Sequence, residues 1–520
     1  MKKRQLVVIG NGMAGMRMVE NLLRLAPDAY AISVIGSEPR GNYNRILLSP
    51  VLAGEKAFAD TLLHDRDWYE ANGITLHAGV TVTAIDRSAR QVHTDSGLSL
   101  PFDRLVLATG SAPFMPALPG IDLPGVMGFR DLDDVETMLD AARNHRHAVV
   151  IGGGILGLEA ADALNRRGMD VTVVHRNDWI MDKQLDATAG RMLQAALEAR
   201  GIRFVMNART EALDGKTRVQ GVRLGFTPSP LTGEGGGEGE QALNVATSSN
   251  LPPPSPQPSP TRGEGSFIPA DLVVVTAGVR PRIELARNCG LTCHHGIQVD
   301  DHLTTSDSTI FAVGECIEHR GETFGLVAPL WEQAEVLARV LAGDASVRYH
   351  GSPPQTTRLK VTGIEVFSAG DFHGGEGCEV LNLYDPIDGH YRRLVLRDGR
   401  LSGAVLYGDA GDGGWYFELM QSGRDLSAAR PTLIFGEALC RLDEPTPSAA
   451  TTARSPTMNT HLPTLLVVGH GMVGHSFVER LVDHGLHQSH RVIVFGEERR
   501  AAYDRVHLTE YFSGKSAEDL

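Results

Sequence analysis

The stretch LVVIGNGMAGMRMVENLL, residues 6–23, decides the fold. An apolar run precedes its glycines and a helical apolar period follows them, which predicts a buried strand, a tight turn and an amphipathic helix. Gly10, Gly12 and Gly15 form G-x-G-x-x-G, whose backbone N–H groups can approach a pyrophosphate at the helix N-terminus. The next strand ends in VIGSE, which places Glu38 to accept hydrogen bonds from a ribose hydroxyl. We therefore predict a dinucleotide-binding unit.

The same arrangement recurs in HAVVIGGGILGLEAADALNRRGMDVTVVHR, residues 147–176. Its fingerprint consists of Gly152, Gly154 and Gly157. The following strand ends in His175 and Arg176, where an acid would bind the 2′-hydroxyl of NAD and a basic group would tolerate or prefer the 2′-phosphate of NADP. A solvated basic pair without a ligand is the alternative. We expect a second dinucleotide site, whose choice between NAD and NADP stays open, with NADP slightly favoured.

The rest of the chain fits an α/β fold. Alternating strands and helices predict doubly wound parallel sheets, and hence two Rossmann-like dinucleotide-binding domains. The first domain comprises 1–118 and 284–345, because DSTIFAVGEC and the helical pattern after it look like a return to the first sheet. The second comprises 119–283. A small α+β domain at 350–442 follows, in which short alternating strands meet at Asp-Gly turns.

Two segments have the composition of loops. Residues 226–266 are dominated by Pro, Gly, Ser and Glu, and cannot bury enough apolar surface to offset the entropy of ordering, so we predict disorder. This insert lies between two strands that a short hairpin turn could join. A long loop at the surface end of a hairpin costs little closure entropy. Residues 443–462 have the composition of a linker.

Composition excludes several partners and sites. The 520 residues carry 49 Lys and Arg against 63 Asp and Glu, a net charge of −14, which argues against nucleic acid or an anionic membrane as partner. No apolar run reaches the ~18–20 residues of a membrane span, and the first apolar stretch is read as a strand, so we expect a cytoplasmic protein. The five cysteines contain no C-x-x-C, and we predict no metal site; CGLTCHHG is interpreted as a helix end and a turn.

Two fingerprints, with LVLATGSAP between them and TIFAVGE after them, resemble the flavoprotein pyridine-nucleotide oxidoreductases. The resemblance implies FAD on the first fingerprint, NAD(P)H on the second and an interface domain at the C-terminus. It implies that Thr109 and Gly110 border the FAD, and that Glu315 after Gly314 stands where the family has Asp. Glu keeps the negative charge of Asp on a longer side chain.

The cysteine pair of the disulfide reductases is absent, and the sequence is instead similar to the rubredoxin-reductase-like branch. More narrowly, YNRILLSPVLAG, MDKQLDATAGRMLQ, AVGECIEHRGETFGLVAPLWEQAEVLA and LKVTGIEVFSAGDF resemble the reductase module of assimilatory nitrite reductases and of the electron-transfer subunit of assimilatory nitrate reductase. This resemblance adds Arg45, Val82 and Glu332 on the flavin side, and Glu159 and Gly278 on the nicotinamide side. It names no catalytic side chain.

The implied function is electron transfer from NAD(P)H through FAD to a metal-containing nitrate or nitrite reductase subunit. Two alternatives stay open: a generic rubredoxin or ferredoxin reductase, and a non-catalytic FAD-binding redox sensor. The oligomeric state, monomer or homodimer, also stays open.

A third fingerprint, Gly469, Gly471 and Gly474, belongs to a repeat of the opening of the chain. In residues 463–520, Glu498 and Arg505 match Glu38 and Arg45, and no strand ending in ATG follows. We expect a truncated FAD-type Rossmann fragment that binds no FAD by itself. Met458 stands where such a protein would begin, which leaves a true fusion and two genes read as one chain as alternatives.

Overall fold

The computed structural model describes residues 3–226, 266–325, 327–351, 356–361, 363–440, 442, 464–468, 481 and 491–495. The chain divides into two compact units, Met1–Pro445 and Thr446–Leu520.

The first parallel sheet grows from the opening glycine fingerprint. Up to residue 127 the elements are β1 (Arg4–Ile9), α1 (Met13–Leu25), β2 (Tyr30–Gly36), α2 (Leu48–Ala53), α3 (Arg66–Ala71), β3 (Thr75–Ala78), β4 (Val82–Asp86), β5 (Gln91–Thr94), β6 (Ser99–Pro101), β7 (Arg104–Leu107), β8 (Ser111–Pro113) and β9 (Val126–Met127), with 3₁₀ helices at Arg45–Leu47 and Phe58–Thr61. Strands β4, β5 and β6 form a separate antiparallel sheet.

The second parallel sheet grows from the second fingerprint. Its segment contains α4 (Leu132–Asn144), β10 (His147–Ile151), α5 (Ile155–Arg166), β11 (Asp170–Val174), α6 (Ala187–Glu198), β12 (Arg203–Val205), β13 (Ala208–Gly215), β14 (Val219–Phe226), β15 (Ser266–Pro269), β16 (Leu272–Val275) and β17 (Val279–Pro281). The strand order is β12-β11-β10-β16-β9, all parallel.

The chain then returns to the first sheet, as predicted from DSTIFAVGEC. The returning elements are α7 (Glu284–Asn288), β18 (Ile297–Val299), β19 (Ile310–Ala312), β20 (Ile317–His319), β21 (Glu322–Thr323) and α8 (Val327–Ala342). Strand β19 pairs in parallel with β7 and completes the order β19-β7-β1-β2-β3. Two Rossmann-like sheets are thereby confirmed.

The core explains why these strands read as continuous apolar runs. Leu6, Val7 and Val8 are at most 2 % exposed, because helices cover both faces of a parallel sheet. Helix α1 packs against α8, so the fingerprint helix is fixed by a segment more than 300 residues away in sequence. The carboxyl ends of β1, β2 and β7 consequently meet at one edge, where ligands bind in folds of this class.

The predicted insert interrupts a hairpin, as expected. Strands β14 and β15 are antiparallel neighbours, with Leu224 opposite Ser266. The predicted bounds of 226–266 are wrong by one residue at each end, because Phe226 ends β14 and Ser266 begins β15. The intervening 227–265 lie outside the described residues, so disorder there stays a prediction.

The C-terminal part of the first unit is a small α+β domain, as predicted. It contains β22 (Thr356–Val361), β23 (Ile364–Gly370), β24 (Cys378–Asp385), β25 (His390–Arg397), β26 (Arg400–Tyr407), α9 (Gly413–Ser422) and α10 (Arg430–Leu433). The antiparallel order is β22-β23-β26-β25-β24. Asp398 and Gly399, both with positive φ (50° and 73°), form the tight turn between β25 and β26.

The second unit is described only in part. Strands β27 (Thr464–Val468) and β28 (Arg491–Phe495) pair in parallel, as β1 pairs with β2. This agrees with the predicted repeat of the opening strands. The glycines of the third fingerprint, Gly469, Gly471 and Gly474, with Met458, Glu498, Arg505 and the linker 443–462, lie outside the described residues.

Candidate functional site

The first glycine turn combines close packing with an open space. Gly10 has a left-handed φ of +114°, and a Cβ there would stand 2.1 Å from the Ala108 carbonyl oxygen. A Cβ on Gly15 would stand 2.9 Å from the Ala108 Cβ. Nothing lies within 4 Å of a Cβ built on Gly12, the N-cap of α1. Gly10 and Gly15 therefore let the helix approach the sheet, and Gly12 faces space that a phosphate can fill.

The second turn repeats this division of roles. Gly152 has a φ of +123°, and a Cβ there would stand 2.7 Å from the Thr276 carbonyl oxygen. A Cβ on Gly157 would stand 2.0 Å from the Gly152 carbonyl oxygen, while nothing lies within 4 Å of one on Gly154. Gly154 is the N-cap of α5, and its backbone (φ −85°, ψ −178°) nearly equals that of Gly12 (φ −86°, ψ 178°). Both turns therefore present the same open helix N-terminus.

One cavity of about 1290 Å³ reaches both glycine turns. It exceeds the roughly 300–1,000 Å³ of ordinary small-molecule pockets. The predicted residues that line it are Gly10, Gly12, Glu38, Arg45, Val82, Thr109, Gly110, Gly154, Glu159, Gly278, Gly314, Glu315 and Glu332. The predicted residues outside its lining are Gly15, Gly152, Gly157, His175 and Arg176.

Glu38 is held in place at the cavity wall. Arg45 Nη2 donates to its Oε1 at 2.5 Å, and the Tyr43 hydroxyl donates to its Oε2 at 2.7 Å. Burial raises the pKa of Tyr43, so the phenol stays a donor. Each carboxylate oxygen keeps a lone pair for another donor, such as a ribose hydroxyl.

Glu315 is anchored within the protein. Ser111 Oγ donates to Glu315 Oε2 at 2.8 Å, and Arg130 forms a close ion pair with the same oxygen. Because the Glu315 residue is only 9 % exposed, its charge needs this partner. The neighbouring Gly314 N–H donates to Gln333 Oε1 at 2.9 Å, which fixes the turn after β19.

Glu159 joins the two dinucleotide-binding domains. It lies on α5, and Ser49 of α2 donates a hydrogen bond from Oγ to its Oε2 at 2.6 Å. Burial raises the pKa of Glu159 above its ordinary value, and the Ser49 hydrogen bond opposes that shift. Both side chains line the cavity.

The end of β11 corrects one expectation. His175 is buried at 8 % exposure, its Nδ1 accepts from the Gly153 N–H at 3.1 Å, and its Nε2 lies 3.2 Å from Asp182 Oδ1. Burial lowers the pKa of His175, so the neutral ring is favoured. It supports the glycine turn and is neither a solvated cation nor part of the cavity wall. Arg176 is exposed and remains the basic side chain at this strand end.

Several lining residues carry no motif of their own. Ser111 and Arg130 reach Glu315 across about 200 residues of sequence, because β7 and β19 are neighbours only in the folded sheet. Tyr43 and Ser49 lie within YNRILLSPVLAG, so the family resemblance of that stretch was the available signal.

Metal and membrane features are not found in the described parts of the chain. There, no group of three or more His, Cys, Asp or Glu side chains is arranged to hold a metal ion. Cys289 is the C-cap residue that follows α7, and Cys293 lies in the turn before β18, as interpreted from the sequence. Among the described helices, none has the length and apolar character required to cross a bilayer.

Comparison with known proteins agrees with this architecture. Residues 4–335 match the family described as pyridine nucleotide-disulphide oxidoreductase, and residues 355–424 match the rubredoxin NAD+ reductase C-terminal domain. The solved NADH:rubredoxin oxidoreductase of Clostridium acetobutylicum superimposes with a TM-score of 0.63 at 25 % identity, over 82 % of this chain and 97 % of that one.

Two curated relatives come from Bacillus subtilis. The nitrite reductase [NAD(P)H] is 44 % identical over 427 residues, which are 82 % of this chain and 48 % of that protein. The assimilatory nitrate reductase electron transfer subunit is 40 % identical over 451 residues, 87 % of this chain and 53 % of that protein. The chain thus spans about half the length of these relatives. With two glycine turns on one cavity and a family match over most of its length, the chain belongs to the pyridine nucleotide-disulphide oxidoreductase family.

Proposed function

We propose that this chain is an FAD-dependent NAD(P)H oxidoreductase that passes electrons to the metal centre of a nitrate or nitrite reductase. The observation that carries the proposal is one cavity reached by two glycine turns of nearly equal geometry. Two dinucleotides can therefore meet in one space. The likeness to the two Bacillus subtilis proteins supports the nature of the acceptor.

The residues of the first turn fit FAD. The space beside Gly12 suits its pyrophosphate, and Glu38, fixed by Arg45, suits a ribose hydroxyl. We assign Val82, Thr109, Gly110, Gly314, Glu315 and Glu332 to the remainder of the flavin wall. Bound FAD supplies an acceptor of two electrons that can release them singly. The side chains of this protein contribute orientation and exclusion of water, and none is assigned as an acid or base in the transfer.

The residues of the second turn fit NAD(P)H. The space beside Gly154 suits the pyrophosphate, and Gly278 and Glu159 border the cavity towards the nicotinamide. We propose a preference for NADPH, because exposed Arg176 can pair with a 2′-phosphate while His175 turns inward. Gly152 and Gly157 act through helix packing.

The assembly is also part of the proposal. We assign FAD binding to 1–118 with 284–345, NAD(P)H binding to 119–283 and an interface role to 350–442. The partner is a metal-containing nitrate or nitrite reductase subunit in the cytoplasm. The molecular mass of the protein in solution will show whether two copies of this chain associate.

One observation favours a second candidate. The match of 355–424 to the rubredoxin NAD+ reductase C-terminal domain supports a rubredoxin or ferredoxin as the acceptor. A flavin-binding redox sensor without turnover is the third candidate, and it predicts no sustained oxidation of NAD(P)H.

The experiment uses the FAD-loaded full chain without oxygen. NADPH or NADH should bleach the flavin absorbance, and the reduced protein should then support nitrite or nitrate reduction by the metal subunit. Reduction of rubredoxin alone, with no activity on the metal subunit, would favour the second candidate. Flavin that stays oxidised with both nucleotides would contradict the proposal.

A further inference from the structure

Glu159 is a half-buried carboxyl that borders the proposed nicotinamide site, and the proposed electron transfer gives its ionisation no role. It lies on α5 of one dinucleotide-binding domain and is bound to Ser49 on α2 of the other, with 2.6 Å between Ser49 Oγ and Glu159 Oε2. Both residues line the cavity that reaches the two glycine turns. A ligand that fills this cavity therefore meets a carboxyl whose hydrogen-bond partner is a neutral hydroxyl.

The elements packed around Glu159 carry charged groups that are engaged elsewhere. Asp162 on α5 pairs with Arg166 at 2.7 Å and with Arg200 at 3.6 Å. Helix α2 contains no titratable side chain, and Arg45 before it pairs with Glu38. On the strands that pack against α5, His147 of β10 lies 3.7 Å from Asp170 of β11. Lys183 lies in the cavity wall, and β22 carries Arg358 and Lys360, two side chains outside the described part of the chain.

The pKa of Glu159 reflects these surroundings. Burial raises it, Ser49 opposes the shift, and no charged group among the described residues contributes. A reduced nucleotide brings an uncharged nicotinamide ring and negatively charged phosphates into the cavity and displaces water. The phosphate charge and the loss of water both disfavour a carboxylate further. Once protonated, the carboxyl gains one O–H donor and keeps acceptor capacity for the ligand.

We propose that the Ser49–Glu159 pair couples binding of the reduced nicotinamide nucleotide to uptake of one proton. The proton passes from the solvent buffer to a Glu159 carboxylate oxygen as the nucleotide enters, and no other bond forms or breaks. This inference rests on the proposed NAD(P) site.

The expected pH dependence follows from linkage. Binding raises the pKa of Glu159. The affinity for the nucleotide is therefore constant at pH values below the pKa that Glu159 has in the nucleotide-free protein. Above that pKa the affinity falls by up to about tenfold per pH unit. Ser49→Ala removes a hydrogen bond to the carboxylate form, so the pKa of Glu159 rises and the fall in affinity moves to higher pH by roughly one unit.

The test is calorimetric titration of the FAD-loaded full chain between pH 6 and 9 (about one-unit steps). The ligands are the tetrahydronicotinamide analogues of NADH and NADPH, whose ring is uncharged and cannot donate a hydride. Measurements in phosphate and in Tris, which differ in heat of ionisation, give the number of protons taken up. The wild type should take up as much as one proton, and Glu159→Gln none, with an affinity that is constant with pH. The matched control is Glu55→Gln. Glu55 is an exposed carboxylate that lies 2.5 Å from Arg166, a residue of the helix that carries Glu159, and this variant should behave as the wild type.

Two outcomes contradict the account in different ways. Equal heats in the two buffers for the wild type, or unchanged proton uptake in Glu159→Gln, would overturn the coupling while leaving the nucleotide site intact. No binding of either nucleotide, checked by equilibrium dialysis, would overturn the proposed function itself. Ser49→Ala provides an independent test if Glu159→Gln folds poorly. If the pH dependence of nucleotide affinity in Ser49→Ala equals that of the wild type, the role of the pair is contradicted.

Discussion

Substitution of Gly12 by Asp separates the stability of the protein from cofactor binding. Gly12 is the N-cap of α1 in extended backbone (φ −86°, ψ 178°), and nothing lies within 4 Å of a Cβ there. Asp is a favoured N-cap residue and its charge suits the helix N-terminus, so the FAD-free protein should be unchanged or more stable by up to about 0.5 kcal/mol. The same carboxylate would occupy the space assigned to the FAD pyrophosphate.

The expected loss of FAD affinity is large. Two like unit charges about 4 Å apart interact by roughly 4 kcal/mol at an effective dielectric of about 20, which corresponds to about 10³-fold weaker binding. Gly154→Asp is the matched variant, because the backbone and the empty surroundings of Gly154 are nearly the same. It should retain FAD and lose nucleotide affinity by a similar factor.

The assay combines three measurements on both variants: urea unfolding of the FAD-free chain, flavin content after loading, and NADP+ binding by the loaded chain. Gly12→Asp should lose FAD and Gly154→Asp should lose NADP+, and both variants should be as stable as the wild type. Retention of FAD by Gly12→Asp, or loss of FAD by Gly154→Asp, would refute the assignment of the two turns. Unfolding of either variant would refute the conclusion that these positions face open space.

Three other perturbations test neighbouring parts of the structure. Gly10→Ala should lower the free energy of unfolding by about 2–5 kcal/mol, because it combines a φ of +114° with a Cβ 2.1 Å from the Ala108 carbonyl oxygen; stability equal to wild type in urea contradicts this. Arg176→Ala should weaken NADPH binding about tenfold or more and leave NADH within about twofold, as measured by the two dissociation constants. An equal effect on both nucleotides would remove Arg176 from 2′-phosphate recognition. Replacement of 227–265 by a two-residue turn should preserve the fold and raise the free energy of unfolding by up to about 2 kcal/mol, because β14 and β15 are already paired; loss of FAD binding would count against a passive insert.

The conformation of the glycine turns and the position of the returning strand could be predicted from short stretches of sequence. Positive φ at Gly10 and Gly152 and the empty space at Gly12 and Gly154 follow from one spacing of glycines. The return of the chain to the first sheet was also predictable, because DSTIFAVGEC has the apolar run of a buried parallel strand.

Side-chain partners across domains were not predictable in this way. The Ser49–Glu159 hydrogen bond and the Arg130–Glu315 ion pair each join segments more than 100 residues apart, and no periodicity marks such pairs. His175 was misjudged for a related reason: a strand-end histidine looks basic in sequence, but its burial and the Gly153 N–H favour the neutral ring.

The central claim is that electrons reach a metal centre from NAD(P)H through flavin held by this chain. The most direct measurement mixes the metal-containing reductase subunit with NADPH under anaerobic conditions and follows the absorbance of its metal centre. We predict rapid reduction when the FAD-loaded chain is present, and almost none when the chain is omitted, lacks FAD or carries Gly12→Asp. A flavin that is reduced while the metal centre stays oxidised, or a metal centre reduced equally fast without the chain, would contradict the account.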